Sequence, residues 1–129
     1  MLAWRRAPRL AKVLARRPVS TVQVTDVSPR DGLQNETVKV DTPTKLELIR
    51  RLVDAGIRSM ESTSFVNPKL VPQMADAADV LQACLAQHPL VAFPVLVPNA
   101  RGLEAALAAG AKEVIHLCRM ASTHGRLPY

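Results

Sequence analysis

Val27-Ser28-Pro29-Arg30-Asp31-Gly32-Leu33-Gln34-Asn35-Glu36 follows directly on the run Thr21-Val22-Gln23-Val24-Thr25-Asp26-Val27, in which Val22 and Val24 alternate with polar residues. That period of two is the pattern of a strand with one face buried, so the stretch is expected where a buried strand ends at its carboxyl side. Arg30 and Asp31, framed by Pro29 and Gly32, place a cation and a hard oxygen donor within a few Å of one point. A carboxylate there suits Mg2+ or Mn2+, and a guanidinium beside it suits a substrate carboxylate or an enolate oxygen. Alone, the same four residues also make an ordinary turn, with Asp31 bonding its own backbone and Arg30 in water. A lone Asp is weak evidence for a metal, and on composition the turn is the simpler reading.

Outward from this stretch the chain alternates between two periods. Thr42 to Gly56 carries helical spacing at Leu46, Ile49 and Val53, with Thr42 suited to the N-cap, Pro43 to the first turn and Gly56 to a left-handed end. Ile57 to Thr63 reads as a second strand that closes in the polar run Glu61-Ser62-Thr63-Ser64. A loop with Pro68 and Pro72 leads to an Ala-rich helix from about Pro72 to Gln87. Leu90 to Val97, interrupted by Pro94, is a third strand with a bulge or an early end. Asn99 caps a helix over Ala100 to Ala109, Gly110 ends it, and Glu113 to Leu117 begins a fourth strand.

The order β-α-β-α-β-α-β with short connections predicts parallel strands and right-handed crossovers. Four strands and three helices are half of a TIM (β/α)8 barrel, which takes roughly 250 residues. An open doubly wound sheet fits the same order, although no G-x-G-x-x-G turn follows the first strand. The fold expectation is therefore α/β, the amino-terminal half of such a barrel over residues 21–117, followed by an irregular tail over 118–129.

Composition separates a leader from a body. Of 17 basic residues, Arg5, Arg6, Arg9, Lys12, Arg16 and Arg17 precede the first acid, Asp26, and the other eleven face eleven acidic residues. The net charge of +6 thus belongs to residues 1–20, whose Arg, Lys and aliphatic content without acids reads as a mitochondrial transit peptide. No basic patch follows, so nucleic acid is not an expected partner. No apolar run reaches the roughly 18 residues of a membrane span, so stable membrane insertion is not expected. Cys84 and Cys118 lack the spacing of a zinc site or a disulfide framework, and Cys84, inside a helical pattern, reads as a small core residue.

Several separated motifs agree on one family. S-P-R-D-G-L-Q-N-E, then T-P-x-K-x-x-L-I, then E-S-T-S-F-V-N-P-K-L-V-P-Q-M and F-P-V-L-V-P-N-A-R-G-L-E-A-A-L-A-A-G-A-K-E-V resemble 3-hydroxy-3-methylglutaryl-CoA lyase over about residues 21–115. The resemblance implies a TIM-barrel lyase in the mitochondrial matrix, which cleaves an acyl-CoA substrate to acetyl-CoA and acetoacetate in leucine breakdown and ketone-body formation. It implies that Asp31 binds a divalent cation, Mg2+ or Mn2+, and that Arg30 is catalytic and contacts the thioester carbonyl. Glu61 matches the acidic residue of the second strand, in a role that orients Arg30 or the metal site. Gln34 matches a residue that faces the substrate, its alternative being a solvated loop amide.

The family also uses an H-x-H pair, a later Asn and a Cys in a glycine-rich loop, and none of these can be placed. His88, His116 and His124 form no H-x-H, and Cys118 lies in the divergent tail. The chain alone is therefore expected to turn over little or no substrate, with self-association through open barrel edges. The competing readings are a non-catalytic product and a related metal-dependent acyl-CoA condensing enzyme.

Overall fold

The computed structural model describes residues 22–116. The leader 1–20 and the tail 118–129, with Cys118 and His124, lie outside the described residues. Three helices, α1 (Thr42–Asp54), α2 (Ala77–Gln87) and α3 (Ala100–Ala108), alternate with extended segments, of which β1 (Val95–Val97) and β2 (Val114–His116) pair in parallel. The two earlier expected strands are present as parallel bridges only, Asp26 with Met60, Ser59 with Ala92 and Ser64 with Leu96. Together these pairings lay four parallel segments side by side in chain order.

That order decides between the two α/β architectures. A doubly wound sheet reverses strand order and carries helices on both faces, whereas a barrel proceeds in one direction with helices on one face. Here Ile49 of α1, Val80, Leu81 and Cys84 of α2, and Ala106 of α3 share one core with Met60, Phe93, Val95 and Val97. One layer of helices on one face of a sequentially ordered parallel sheet is the arrangement of the amino-terminal half of a TIM barrel.

Helix ends follow from local chemistry. Gly56 and Gly110 have φ of 101° and 89°, and each closes its helix with paired bonds: Ile57 N donates to Leu52 O and Gly56 N to Val53 O, as Ala111 N does to Ala106 O and Gly110 N to Leu107 O. Asn99 caps α3 by accepting from Gly102 N at 2.9 Å. At α1 the expectation is corrected by one residue. Asp41 is the cap, accepting from Thr44 N at 3.0 Å, because Thr42 Oγ1 is drawn away to Asp76 Oδ2 at 2.6 Å.

Two further expectations change. Val22 and Val24 are exposed, so the run before Val27 is not a buried strand; only Asp26 is paired, through Asp26 N to Ser59 O and Glu61 N to Asp26 O. The expected helix from Pro72 divides into a 3-10 turn, Pro72–Met74, and α2, because Gln73 and Asp76 bind partners outside the helix. Leu90 is exposed in a turn, and the third strand starts its pairing at Ala92. Cys84 is buried in the core as expected, and burial pushes its thiol up to about 12, leaving it inert at neutral pH.

A buried charge ties the first two βα units together. Lys45, only 3% exposed, donates from Nζ to Asp76 Oδ1 at 2.6 Å and to the carbonyl of Gln73. Burial works against ionisation of Asp76, but hydrogen bonds from Lys45 and Thr42 outweigh it and hold the carboxyl below its ordinary value. A carboxyl with a depressed folded pKa stabilises the fold above its unfolded value of 3.8 and ceases to as pH falls through the folded value. Asp76→Asn leaves Lys45 without a counter-charge and is expected to cost about 3 kcal/mol in urea unfolding at pH 7. The gap between wild type and variant should narrow as pH drops below 4, and a gap independent of pH would contradict the assignment.

Gly102 shows a different constraint. A Cβ there would lie 2.5 Å from the carbonyl oxygen of Phe65 and 3.2 Å from Pro98 Cδ, so α3 approaches the second strand's exit only because the side chain is absent. Gly102→Ala should cost about 1–3 kcal/mol by thermal or urea unfolding. Gly32, whose added Cβ would meet nothing nearer than Ser28 Cβ at 3.7 Å, is the control, and its alanine variant should stay within about 0.5 kcal/mol of wild type.

Candidate active site

The chain leaves its first paired residue through a sharp turn. Asp26 Oδ1 accepts from Ser28 N at 2.8 Å, and the carbonyl of Val27 then receives the N–H groups of Arg30, Asp31 and Gly32 at 3.2, 2.7 and 3.4 Å. This makes a single π-helical turn, Ser28–Gly32, with Pro29 buried at its start. The turn is wide enough to bring Arg30 back over the neighbouring segment. Since Glu61 N binds Asp26 O at 2.8 Å, Glu61 stands beside the point where the turn begins.

The three residues expected to act together are in contact. Arg30 Nε and Nη2 both meet Glu61 Oε2 at 2.6 Å, and Arg30 Nη1 donates to Asp31 Oδ1 at 2.7 Å. Their exposures differ: Glu61 is 8% exposed, Arg30 15% and Asp31 56%. Two carboxylates against one guanidinium leave the cluster with a net negative charge, which favours a cation at its open side. That open side is Asp31.

Gln34 sits one turn further on, in the wall of a cleft of about 460 Å³ between the loop after the turn and the segment Leu70–Gln73. It is half-buried there. His116 is held to the carbonyl of Val97 through Nδ1 at 3.0 Å, at the carboxyl end of β2.

As a metal site the cluster is partial. Among the described residues no three His, Cys, Asp or Glu side chains stand together as a ligand group. Asp31 suits one coordination position of Mg2+ or Mn2+, and the described residues do not complete a centre.

Reasoning from sequence missed the network of Lys45, Gln73 and Asp76, which fixes the loop bearing Gln34. The signal was present in T-P-x-K and V-P-Q-M, where a Lys and a Gln interrupt apolar helical faces, but helical periodicity assigns such residues to solvent.

Comparison with known proteins agrees with the fold. The family model described as HMGL-like matches residues 21–126. A mitochondrial hydroxymethylglutaryl-CoA lyase from Homo sapiens is 48% identical over 126 residues, 89% of this chain and 38% of the relative. The Bos taurus enzyme of the same name is 56% identical over 93 residues, 72% of this chain and 28% of the relative. Among solved structures, hydroxymethylglutaryl-CoA lyase from Pseudomonas aeruginosa superposes with a TM-score of 0.68 at 46% identity, covering 74% of this chain and 31% of that one. An HMG-CoA lyase from Acinetobacter baumannii, in complex with coenzyme A and 3-methylmalate, gives 0.66 at 37% identity over 71% of this chain and 30% of that one. The chain thus spans about a third of the length of the relatives it matches. With a family model matched across its whole described length and the same parallel half-barrel beneath it, this chain belongs to the HMGL-like family.

Proposed function

We propose that the chain contributes the first strands and the substrate-binding arginine of a hydroxymethylglutaryl-CoA lyase, which cleaves 3-hydroxy-3-methylglutaryl-CoA to acetyl-CoA and acetoacetate. The observation that carries this reading is Arg30, gripped by buried Glu61 and turned at its other edge toward exposed Asp31. The reaction removes a proton from a tertiary alcohol, breaks the adjacent C–C bond and leaves the electron pair on the thioester carbonyl as an enolate. A fixed cation at that oxygen stabilises charge that develops only as the bond breaks.

Each residue takes a role suited to its surroundings. Arg30 is the catalytic cation, and the N–H groups of its open edge, on the side of Asp31 and away from Glu61, bind the thioester oxygen. Glu61 orients the guanidinium plane and sustains its charge in a nearly dry position. Asp31 gives one oxygen to a divalent cation, Mg2+ or Mn2+, which when bound eases deprotonation of the alcohol. Gln34 offers an amide to the polar part of the substrate from the cleft wall. An acyl-CoA substrate is supported by the relative solved with coenzyme A.

The names of the relatives support a mitochondrial setting, and residues 1–20, basic and free of acids, have the composition of a matrix-targeting peptide removed from the domain that follows.

Because no three ligand side chains stand together among the described residues, the 129-residue chain by itself is expected to release little acetoacetate even with Mg2+. The test is a chimera in which residues 22–116 replace the matching segment of the human relative. It should cleave the substrate, with Arg30→Gln lowering kcat by on the order of 10² to 10³ and Asp31→Ala removing the response to Mg2+. A folded chimera without activity would overturn the proposal.

A further inference from the structure

We infer that Gln73 is a positioning residue, a single side chain that sets one wall of the cleft holding Gln34; the inference rests on the reading of that cleft as part of the substrate site. The cleft lies between the loop residues Gln34, Asn35, Thr37 and Lys39 on one side and Leu70 and Pro72 on the other. Gln73 belongs to the second side, yet its side chain binds only the first. Nε2 donates to the carbonyls of Glu36 at 2.9 Å and Val38 at 2.7 Å, and Oε1 accepts from Val40 N at 3.1 Å.

All three bonds reach loop backbone, and Gln73 is buried, 5% exposed. An amide is the one neutral group that donates twice and accepts in a single plane, which matches two carbonyls and one N–H of a loop without regular structure. Behind Gln73, Lys45 donates to its main-chain carbonyl and to Asp76, which pins the Pro72–Met74 turn to α1. Helix, turn and loop therefore form one body, and the spacing of the cleft walls is the span of one glutamine.

None of these bonds touches Arg30, Asp31 or Glu61. Loss of the Gln73 amide should loosen the wall and leave the ion-pair cluster standing. Its effect falls on ligand affinity rather than on the groups at the reacting atoms.

Hydrogen exchange and a coenzyme A titration on the full 129-residue chain separate the cases. In Gln73→Met, the amide of Val40 should exchange at least about tenfold faster while the cores of α1 and α2 keep their protection, and the Kd for coenzyme A should rise severalfold. Gln73→Glu, which keeps an acceptor for Val40 N–H but sets a carboxylate against the carbonyls of Glu36 and Val38, should loosen the loop as well and serves if the Met variant does not fold. Unchanged exchange at Val40 overturns the clamp, and a loosened loop with unchanged affinity overturns the positioning role. A wild-type chain that ignores coenzyme A, with the exchange difference intact, overturns the ligand reading of the cleft and leaves the clamp in place.

Discussion

The contact between Glu61 and Arg30 joins the two halves of everything described at the candidate site. Glu61 is delivered by main-chain pairing, its N–H bound to Asp26 O, and Arg30 is delivered by the turn that starts at the same Asp26. One residue thus sets the start of both arms. The pairing of a single bridge, Asp26 with Met60, is weak as strand structure, but it fixes the register in which a buried carboxylate finds the guanidinium. A slip by one residue would turn Glu61 to the opposite face of the sheet, into the layer where Met60 packs among Ile49 and Leu81.

The fold separates two kinds of chemistry by layer. Helices cover one face of the parallel segments with aliphatic and small side chains, and the polar groups gather at the carboxyl ends, where the turn Ser28–Gly32 and the residues Glu61 to Ser64 lie. Parallel strands make this arrangement repeatable, because each βα connection begins at the same end. The apolar layer carries stability, and the loops can carry polar groups without disturbing it. Gly102 shows how closely the layers meet: the first turn of α3 rests against the Phe65 carbonyl with no room for a methyl group.

Much of this was legible from the residues alone, where local chemistry dominates. Gly56, Asn99 and Gly110 each mark a helix end, since a left-handed φ or a side-chain cap is a property of one or two residues. The order of elements and the aliphatic core followed from period. What was not legible depended on partners far along the chain. Thr42 looked like the cap of α1 and lost that role to Asp41, because Asp76, 34 residues away, claims its hydroxyl. Val22 and Val24 alternate as a buried strand should and remain exposed, since alternation states which face is apolar and not whether anything covers it. Lys45 and Gln73 look like surface residues by type; their burial is explained by Asp76, by each other and by the loop that Gln73 holds. The resemblance to a family supplied roles for Arg30, Asp31, Glu61 and Gln34 that no spacing argument could give, and the geometry brings the first three into one cluster, with Gln34 in the wall of a cleft that none of the three lines.

The grip on Arg30 is unequal on its two sides, and the proposed substrate role rests on that inequality. A buried ion pair costs about 3–5 kcal/mol to break by removing one partner, whereas an exposed pair contributes about 0–1 kcal/mol. Glu61 holds Arg30 from the buried side through Nε and Nη2, and Asp31, more than half exposed, holds it from the open side through Nη1. A ligand oxygen arriving at the open edge therefore competes with the weak contact and leaves the strong one untouched. The guanidinium need not reorganise, because its plane is already set by Glu61, and the N–H facing Asp31 can be exchanged at little cost. Reversed burial, with Asp31 dry and Glu61 wet, would place the stable bond where the ligand must enter. The order of Arg30 and Asp31 in the turn matters for this reason: Asp31 stays at the rim, while Arg30 reaches inward to the buried carboxylate of Glu61.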